Sequence, residues 1–193
     1  MFTGIITAIG EVLQAPSADG RLRIRAPADW LQHTAVGDSI AVDGACLTAT
    51  TISEDSFTAD ISQETAACCA GWKNGASVNL EHPMTADGKI GGHFVSGHVE
   101  GVACLSILEE SGDGRRMVFS PPPALMKFII PKGSVTVGGV SLTVAAVGQA
   151  DFAVQVVPHT LSATTLGRLQ TGDFVNMESD LLARHLHRLT ETG

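Results

Sequence analysis

Residues 21–26 read Arg-Leu-Arg-Ile-Arg-Ala, so Leu22, Ile24 and Ala26 fall on one side and three arginines on the other. A period of two is the signature of an extended strand with one face buried. The runs "SVTVGGVSLTVAAV" (134–147) and "FAVQVV" (152–157) are rich in β-branched residues, which favour strands. Gly, Asp and Pro punctuate the chain at short intervals, so the pattern predicts many short strands joined by turns. One segment departs from it. In "LLARHLHRL" (181–189), Leu182, Leu186 and Leu189 stand at i, i+4 and i+7, a single stripe of a helix. Ser179 or Asp180 stands where its N-cap belongs, with Arg184 and Arg188 toward its C-terminal end. That stripe has to be covered, either by the chain's own barrel or by a second subunit, and composition does not choose between them.

The strand pattern is written twice. "TGI" at Thr3–Ile5 aligns with "SGH" at Ser96–His98, and "SIAVDGACLTA" at Ser39–Ala49 with "SVTVGGVSLTV" at Ser134–Val144. "QET" at Gln63–Thr65 aligns with "PHT" at Pro158–Thr160, and "NGASVNLE" at Asn74–Glu81 with "TGDFVNMES" from Thr171. The blocks keep their order while the offset drifts from 93 to 97 residues, as insertions confined to turns would give. Each half therefore predicts one small barrel or sandwich. The join falls within His82–Gly92, which carries Pro83 and three glycines. The expected division is 1–92, 93–178 and a helical tail at 179–193.

Composition narrows the partners. Hydrophobic residues make up 44% of the 193 and charged residues 17%, enough for packed cores and against disorder. A net charge of −8 argues against nucleic acid, whose phosphates call for Lys and Arg. No window approaches the apolar length of a membrane helix, and no basic residue precedes Arg21, so a signal peptide and a membrane partner are not expected. Cys46, Cys68, Cys69 and Cys104 show no Cys-x-x-Cys spacing and read as reduced thiols of a cytoplasmic protein.

The repeated phrase is where chemistry is expected. On a strand Cys46 and Thr48 share a face opposite Leu47, and Ser141 and Thr143 share one opposite Leu142. Two small polar groups about 7 Å apart suit the edge of a flat heterocycle. A lone thiol is usually a small buried hydrophobe, and a lone Ser or Thr usually bonds locally; the repetition in both halves points to a site. His93 and His98, five apart, fall on opposite faces of a strand, which argues against a shared metal. His98 takes the place that Ile5 holds in the first copy, adding a side chain that exchanges protons near neutral pH. No catalytic triad spacing, Gly-x-Gly-x-x-Gly or phosphate loop is present, so a nucleotide cofactor has no support.

In combination, "MFTGI", "CLT", "SLT", "GGHFVSGHVEG", "KGSV", "TLG" and "VNMESD" resemble the riboflavin synthase family along the whole chain. The resemblance implies an all-β fold of two tandem six-stranded Greek-key barrels related by pseudo-twofold symmetry, with a C-terminal helix that holds a homotrimer. It implies dismutation of two 6,7-dimethyl-8-ribityllumazine molecules by four-carbon transfer to riboflavin and 5-amino-6-(D-ribitylamino)uracil, with no cofactor or metal. The site would lie between the N-terminal barrel of one subunit and the C-terminal barrel of its neighbour, and a lumazine synthase is a possible associate. Carried over position by position, His98 shuttles a proton of a 7-methyl group, Ser141 and Thr143 stand beside the ring in the same barrel, and Cys46 and Thr48 serve the other barrel. Leu47 and Leu142 belong to the two phrases. Phe2 covers a ring, Lys132 reaches a neighbouring site, and Asp180 lies near a ribityl chain. Thr3, Gly4, Ile5 and Ile6, then Ser62, Gln63, Glu64, Thr65, Ala66 and Ala67, hold ring and ribityl groups from strand ends and loops. So do Gly97 and Val99 beside His98, and Pro158, His159, Thr160, Leu161, Ser162 and Ala163. Gly138 stands where the family often has an acid or amide, "ETAACCAGW" departs from its usual run, and Glu100 replaces a common Asp. The competing expectations are a non-catalytic lumazine- or flavin-binding protein, in which one barrel decays, and a purely structural duplicated barrel.

Overall fold

The computed structural model describes residues 1–16 and 20–191; the last two residues of the expected 179–193 tail, Thr192 and Gly193, lie outside them. Strands β1 (Ala8–Gln14), β2 (Arg21–Arg25), β3 (Ser39–Val42), β4 (Ala45–Ile52), β5 (Ser56–Asp60) and β6 (Ser77–Glu81) close a barrel in the order β1-β2-β5-β4-β3-β6. Strands β7 (Gly101–Ser111), β8 (Gly114–Ser120), β9 (Ser134–Val137), β10 (Val140–Val147), β11 (Phe152–Val156) and β12 (Phe174–Ser179) close a second in the matching order β7-β8-β11-β10-β9-β12. All pairs are antiparallel. The alternation reads out as expected: in β2, Leu22 and Ile24 are buried and the three arginines exposed. Each closed barrel fills its inside with one apolar set, Leu22, Ile24, Ile40, Leu47, Phe57 and Leu80 in the first, Leu105, Phe119, Val135, Leu142, Phe152 and Val154 in the second.

The duplication extends to the irregularities. The register slips between Ala49 and Thr51 in β4 and between Val144 and Ala146 in β10, and again between Val12 and Gln14 in β1 and Leu105 and Ile107 in β7. A bulge bends its strand and increases twist, which a six-stranded sheet needs in order to close.

Among the described residues four α-helices stand beside the strands, α1 (Ala28–Leu31), α2 (Gln63–Cys68), α3 (Pro158–Ala163) and the expected α4 (Leu181–Glu191), with two short 3-10 helices at Pro123–Phe128 and Thr165–Arg168. The expected loops at 62–67 and 158–163 are thus short helices. Ser62 caps the first, its hydroxyl accepting from the Thr65 N–H at 3.0 Å, and Pro158 opens the second with a preset φ. Asp180 rather than Ser179 caps α4, its carboxylate accepting from Leu182 N–H at 2.9 Å. Leu182, Leu186 and Leu189 are 59%, 64% and 72% exposed, so the stripe is turned away from the chain's own barrels. Among the described residues no helix is long and apolar enough to cross a membrane.

The barrels are stitched by reciprocal contacts. Phe2 and Val95 exchange backbone hydrogen bonds of 2.8 and 3.1 Å. Asn79 of β6 donates to the Gly138 carbonyl in the β9–β10 turn and accepts from Thr165 N–H. Asn176 of β12 donates to the Asp43 carbonyl in the β3–β4 turn and accepts from Ala70 N–H. Between these bonds Gly44 and Gly139 stand back to back; a Cβ on Gly139 would come within 2.6 Å of the Gly44 nitrogen. The two Asn residues use both ends of their amides across the seam, each donating to one turn carbonyl and accepting from one backbone N–H.

Asp43 is the seam's asymmetric member, since the matching turn has Gly138. Burial pushes its carboxyl up to about 7. The Asn79 N–H at 2.8 Å and the nearby Trp72 indole pull the other way, but the indole falls short of hydrogen-bonding geometry. The folded chain holds this proton more tightly than the unfolded one does. Its stabilising contribution is therefore full below the ordinary value of 3.8 and lost as pH rises through about 7. Replacing Asp43→Asn removes the titration. Between pH 5 and pH 8 the wild type should lose of the order of 2 kcal/mol more stability than the variant. Urea denaturation at both pH values measures this, and parallel stability profiles would refute it.

Candidate functional site

The segments that enter the barrels carry the site. Thr3 and Ser96 are equivalent, and each is held by the carboxylate that ends its own barrel. Glu81 accepts from the Thr3 N–H and hydroxyl at 2.7 Å each and from Gly4 N–H at 3.0 Å. Glu178 accepts from the Ser96 N–H and hydroxyl at 2.7 Å each and from Gly97 N–H at 2.9 Å. Burial raises both carboxyls above the ordinary glutamate value, helped at Glu178 by the charge of Glu100, and these hydrogen bonds reduce the rise without cancelling it.

Beyond each clamp the segment crosses to the other barrel. The Ser141 N–H of β10 donates to the Gly4 carbonyl, and the Cys46 N–H of β4 donates to the Gly97 carbonyl, both at 2.8 Å. Ile6 packs on the second core and Val99 on the first. His98 therefore stands beside Cys46, not beside Ser141 and Thr143 as expected; Ile5 is the residue that accompanies Ser141. The cause is close approach. At Gly97, with φ +81°, a Cβ would lie 2.6 Å from the Cys46 Cβ and 2.9 Å from the Phe2 ring. Gly4, with φ +75°, meets Ser141 in the same way.

Two unlike sites result. In the first barrel an open cavity of about 620 Å³ is lined by Cys46, Glu64, Thr65, Cys68, Gly97, His98, Val99, Glu100 and Arg184, among others. His98 is exposed there, and Thr48 is exposed further along the same face of β4, while Leu47 turns into the core. Phe2 is completely buried with Val95 and Ala41, bracing the wall behind Cys46. Gln63, Ala66 and Ala67 lie exposed on α2 beside Glu64 and Thr65.

In the second barrel Ser141 is half-buried, Thr143 exposed and Leu142 in the core. Sequence reasoning set His93 aside, yet it covers this site. Its Nδ1 lies 2.7 Å from the Ser141 hydroxyl and its Nε2 3.2 Å from that of Thr136. Burial pushes the His93 imidazole down, opposed by the charge of Asp180, so the ring is neutral near pH 7 with one nitrogen donating and the other accepting. Asp180 thus serves as both helix cap and electrostatic neighbour of this histidine. On α3, Pro158, His159 and Ser162 are exposed and Thr160, Leu161 and Ala163 half-buried. Lys132 is exposed in the turn before β9, at φ +67°. All four cysteines carry free thiols.

The comparisons agree with this geometry. The lumazine binding domain matches twice, over residues 3–83 and 96–180. The chain belongs to the lumazine binding domain family. Among its relatives, the riboflavin synthase of Photobacterium phosphoreum is 41% identical over 98% of this chain and 88% of its own. Those of Actinobacillus pleuropneumoniae and Bacillus subtilis (strain 168) are each 37% identical over 97% and 89%. A crystal structure of LumP complexed with riboflavin superimposes with a TM-score of 0.84 at 26% identity, covering 93% of this chain and 99% of that one. A LumP complex with 6,7-dimethyl-8-(1'-D-ribityl) lumazine gives 0.83 at the same identity and coverage. The family's duplicated domain is thus the unit that the two barrels repeat.

The residues missed from sequence, Glu81, Glu178, Asn79 and Asn176, were visible in it. They are the polar positions common to "VNLE" and "VNME", placed on strands that are otherwise apolar. Substituting Gly97→Ala tests the close approach. Gly172 also has positive φ, +97°, but nothing lies within 4 Å of its Cβ position. Gly172→Ala should therefore cost only backbone strain, about 1 kcal/mol, and Gly97→Ala about 1–3 kcal/mol more. Equal losses in urea denaturation would overturn the steric account.

Proposed function

We propose that this chain is a riboflavin synthase, a cytoplasmic transferase that dismutates two molecules of 6,7-dimethyl-8-ribityllumazine by four-carbon transfer. The products are riboflavin and 5-amino-6-(D-ribitylamino)uracil. The observation that carries the reading is the paired but unequal cradle: Cys46 with His98 in one barrel, Ser141 with Ile5 and His93 in the other. One kind of substrate used twice needs two similar pockets, and donor and acceptor roles need different surroundings. Relatives named riboflavin synthase, similar over nearly their full length, support the same conclusion.

In this mechanism a 7-methyl group loses a proton and the resulting carbanion attacks C7 of the partner ring. His98, exposed at the cavity beside Cys46, exchanges that proton with solvent. The Cys46 thiol donates a hydrogen bond that polarises the ring it faces, and Thr48, Ser141 and Thr143 bind ring edges. Holding two rings face to face supplies roughly 7–11 kcal/mol of barrier lowering through orientation. The first-barrel cavity is half of the reaction site; the second-barrel cradle of a neighbouring subunit supplies the rest. A homotrimer assembled through α4 brings them together and covers the exposed Leu182, Leu186 and Leu189 stripe. Lys132 reaches across to a neighbouring site, and Asp180 and the α2 and α3 segments hold ribityl chains.

The similarity to LumP favours a second reading, a carrier that binds lumazine without converting it. Incubating the purified chain with ribityllumazine separates the two: riboflavin formation is expected, and stable bound fluorescence without riboflavin would establish the carrier. His98→Ala should lower kcat by about 10²-fold or more with binding retained; an unchanged rate would remove His98 from the mechanism. Truncation before Leu181 should give monomers by sedimentation, and a surviving trimer would overturn the role of α4.

A further inference from the structure

We infer that Arg184 is a ligand-binding residue of the first-barrel cavity, donating to an acceptor oxygen of the molecule held beside Cys46. This rests on the proposed function and goes beyond it, because the helix carrying Arg184 is otherwise an assembly element. Arg184 reaches the cavity from α4, the element farthest along the chain from β4 and α2, which supply Cys46, Thr65 and Cys68. Its guanidinium is 3.6 Å from Glu100 Oε1.

That ion pair does not use up the arginine. Both Glu100 oxygens already accept from Ser179, Oε1 from its N–H and hydroxyl at 2.9 Å and Oε2 from the hydroxyl at 3.0 Å. The Glu100 side chain lines the cavity but is only 12% exposed, and at 3.6 Å it acts on Arg184 mainly as a charge. A guanidinium has five N–H donors in a fixed fork and keeps its charge at every working pH. With the carboxylate committed to Ser179, donors of the 38% exposed Arg184 side chain remain for the cavity. Among the described residues lining this cavity it is the one permanent cation.

The repeat sharpens the argument. The equivalent of Glu100 in the first copy is Thr7, whose hydroxyl donates to the Leu80 carbonyl at 3.3 Å. No helix follows β6, and the position matching Arg184 is the exposed Asp87 of the connecting segment. The pair Glu100–Arg184 is therefore present in one copy alone, and through the exchange of segments it serves the other copy's barrel. It gives the Cys46 side a positive donor.

The test is a fluorescence titration of the full chain with 6,7-dimethyl-8-ribityllumazine, run beside the product assay. Arg184→Ala should weaken binding about ten-fold or more, the loss expected for a charged hydrogen bond. Arg184→Lys, which keeps the charge without the fork, should fall between. His187→Ala is the control for a loosened helix, since His187 anchors α4 edge-to-face on Phe128 with ring centroids 5.2 Å apart and does not line the cavity. It should bind within about two-fold of wild type. Repeating the titration with 6,7-dimethyllumazine, which lacks the ribityl chain, locates the acceptor. A loss that persists places it on the ring, and a loss that disappears places it on the chain. Binding by Arg184→Ala or Arg184→Lys as tight as wild type would overturn the contact, and equal losses in Arg184→Ala and His187→Ala would reduce it to anchoring. A wild type that binds neither compound would overturn the proposed function as well.

Discussion

Two buried carboxylates hold the molecule in the one arrangement in which its sites exist. Glu81 and Glu178 each gather two backbone amides and a hydroxyl from an entering segment, and so aim Gly4 and Gly97 at the opposite barrel. A carboxylate is expensive to bury unless it is fully hydrogen-bonded, so each clamp is tightest when all three donors are in place. Every later feature inherits this geometry: the Phe2–Val95 pairing, the contacts of Gly4 with Ser141 and Gly97 with Cys46, and the delivery of His98 to a barrel that its own repeat does not build.

The exchange changes what duplication means here. Two barrels placed side by side would present two sites, each made from its own copy. With the segments crossed, each site mixes both copies, and a substitution in one repeat is read out in the other's barrel. His98 in place of Ile5, and Glu100 in place of Thr7, alter the first barrel although both arose in the second copy. The seam shows the same logic in a structural role: Asn79 and Asn176 satisfy turns across the interface, and Asp43 faces a position where its counterpart is glycine.

Much was legible because its cause is local. The Leu22, Ile24 and Ala26 alternation names a half-buried strand without any knowledge of its neighbours, and Leu182, Leu186 and Leu189 name a helical stripe. The face shared by Cys46 and Thr48 follows from strand geometry. The pairing of histidines with cradles was not legible, because alternation says which face a residue takes and not which barrel lies against it. His93 was set aside on a spacing argument that holds for a regular strand. It sits instead in the irregular connection between barrels, bonded to Ser141 and Thr136. The short helices at 63–68 and 158–163 were too brief for a period of 3.6 to stand out from turns.

The sequence by itself determined two repeated β units, each a small barrel or sandwich, the apolar positions that fill them, and the terminal helix; closure into barrels and the shared strand order came from the tertiary structure. The repeated units, their apolar positions and the helix depend on the periodicity of side chains along one segment and on the repetition of that pattern. Only the tertiary structure decided that the entering segments cross, that His98 serves Cys46 while His93 serves Ser141, and that Glu100 and Arg184 meet at the first-barrel cavity. These outcomes depend on contacts between residues far apart in the chain, made possible where the absence of a Cβ at Gly4 and Gly97 lets one backbone lie directly on another.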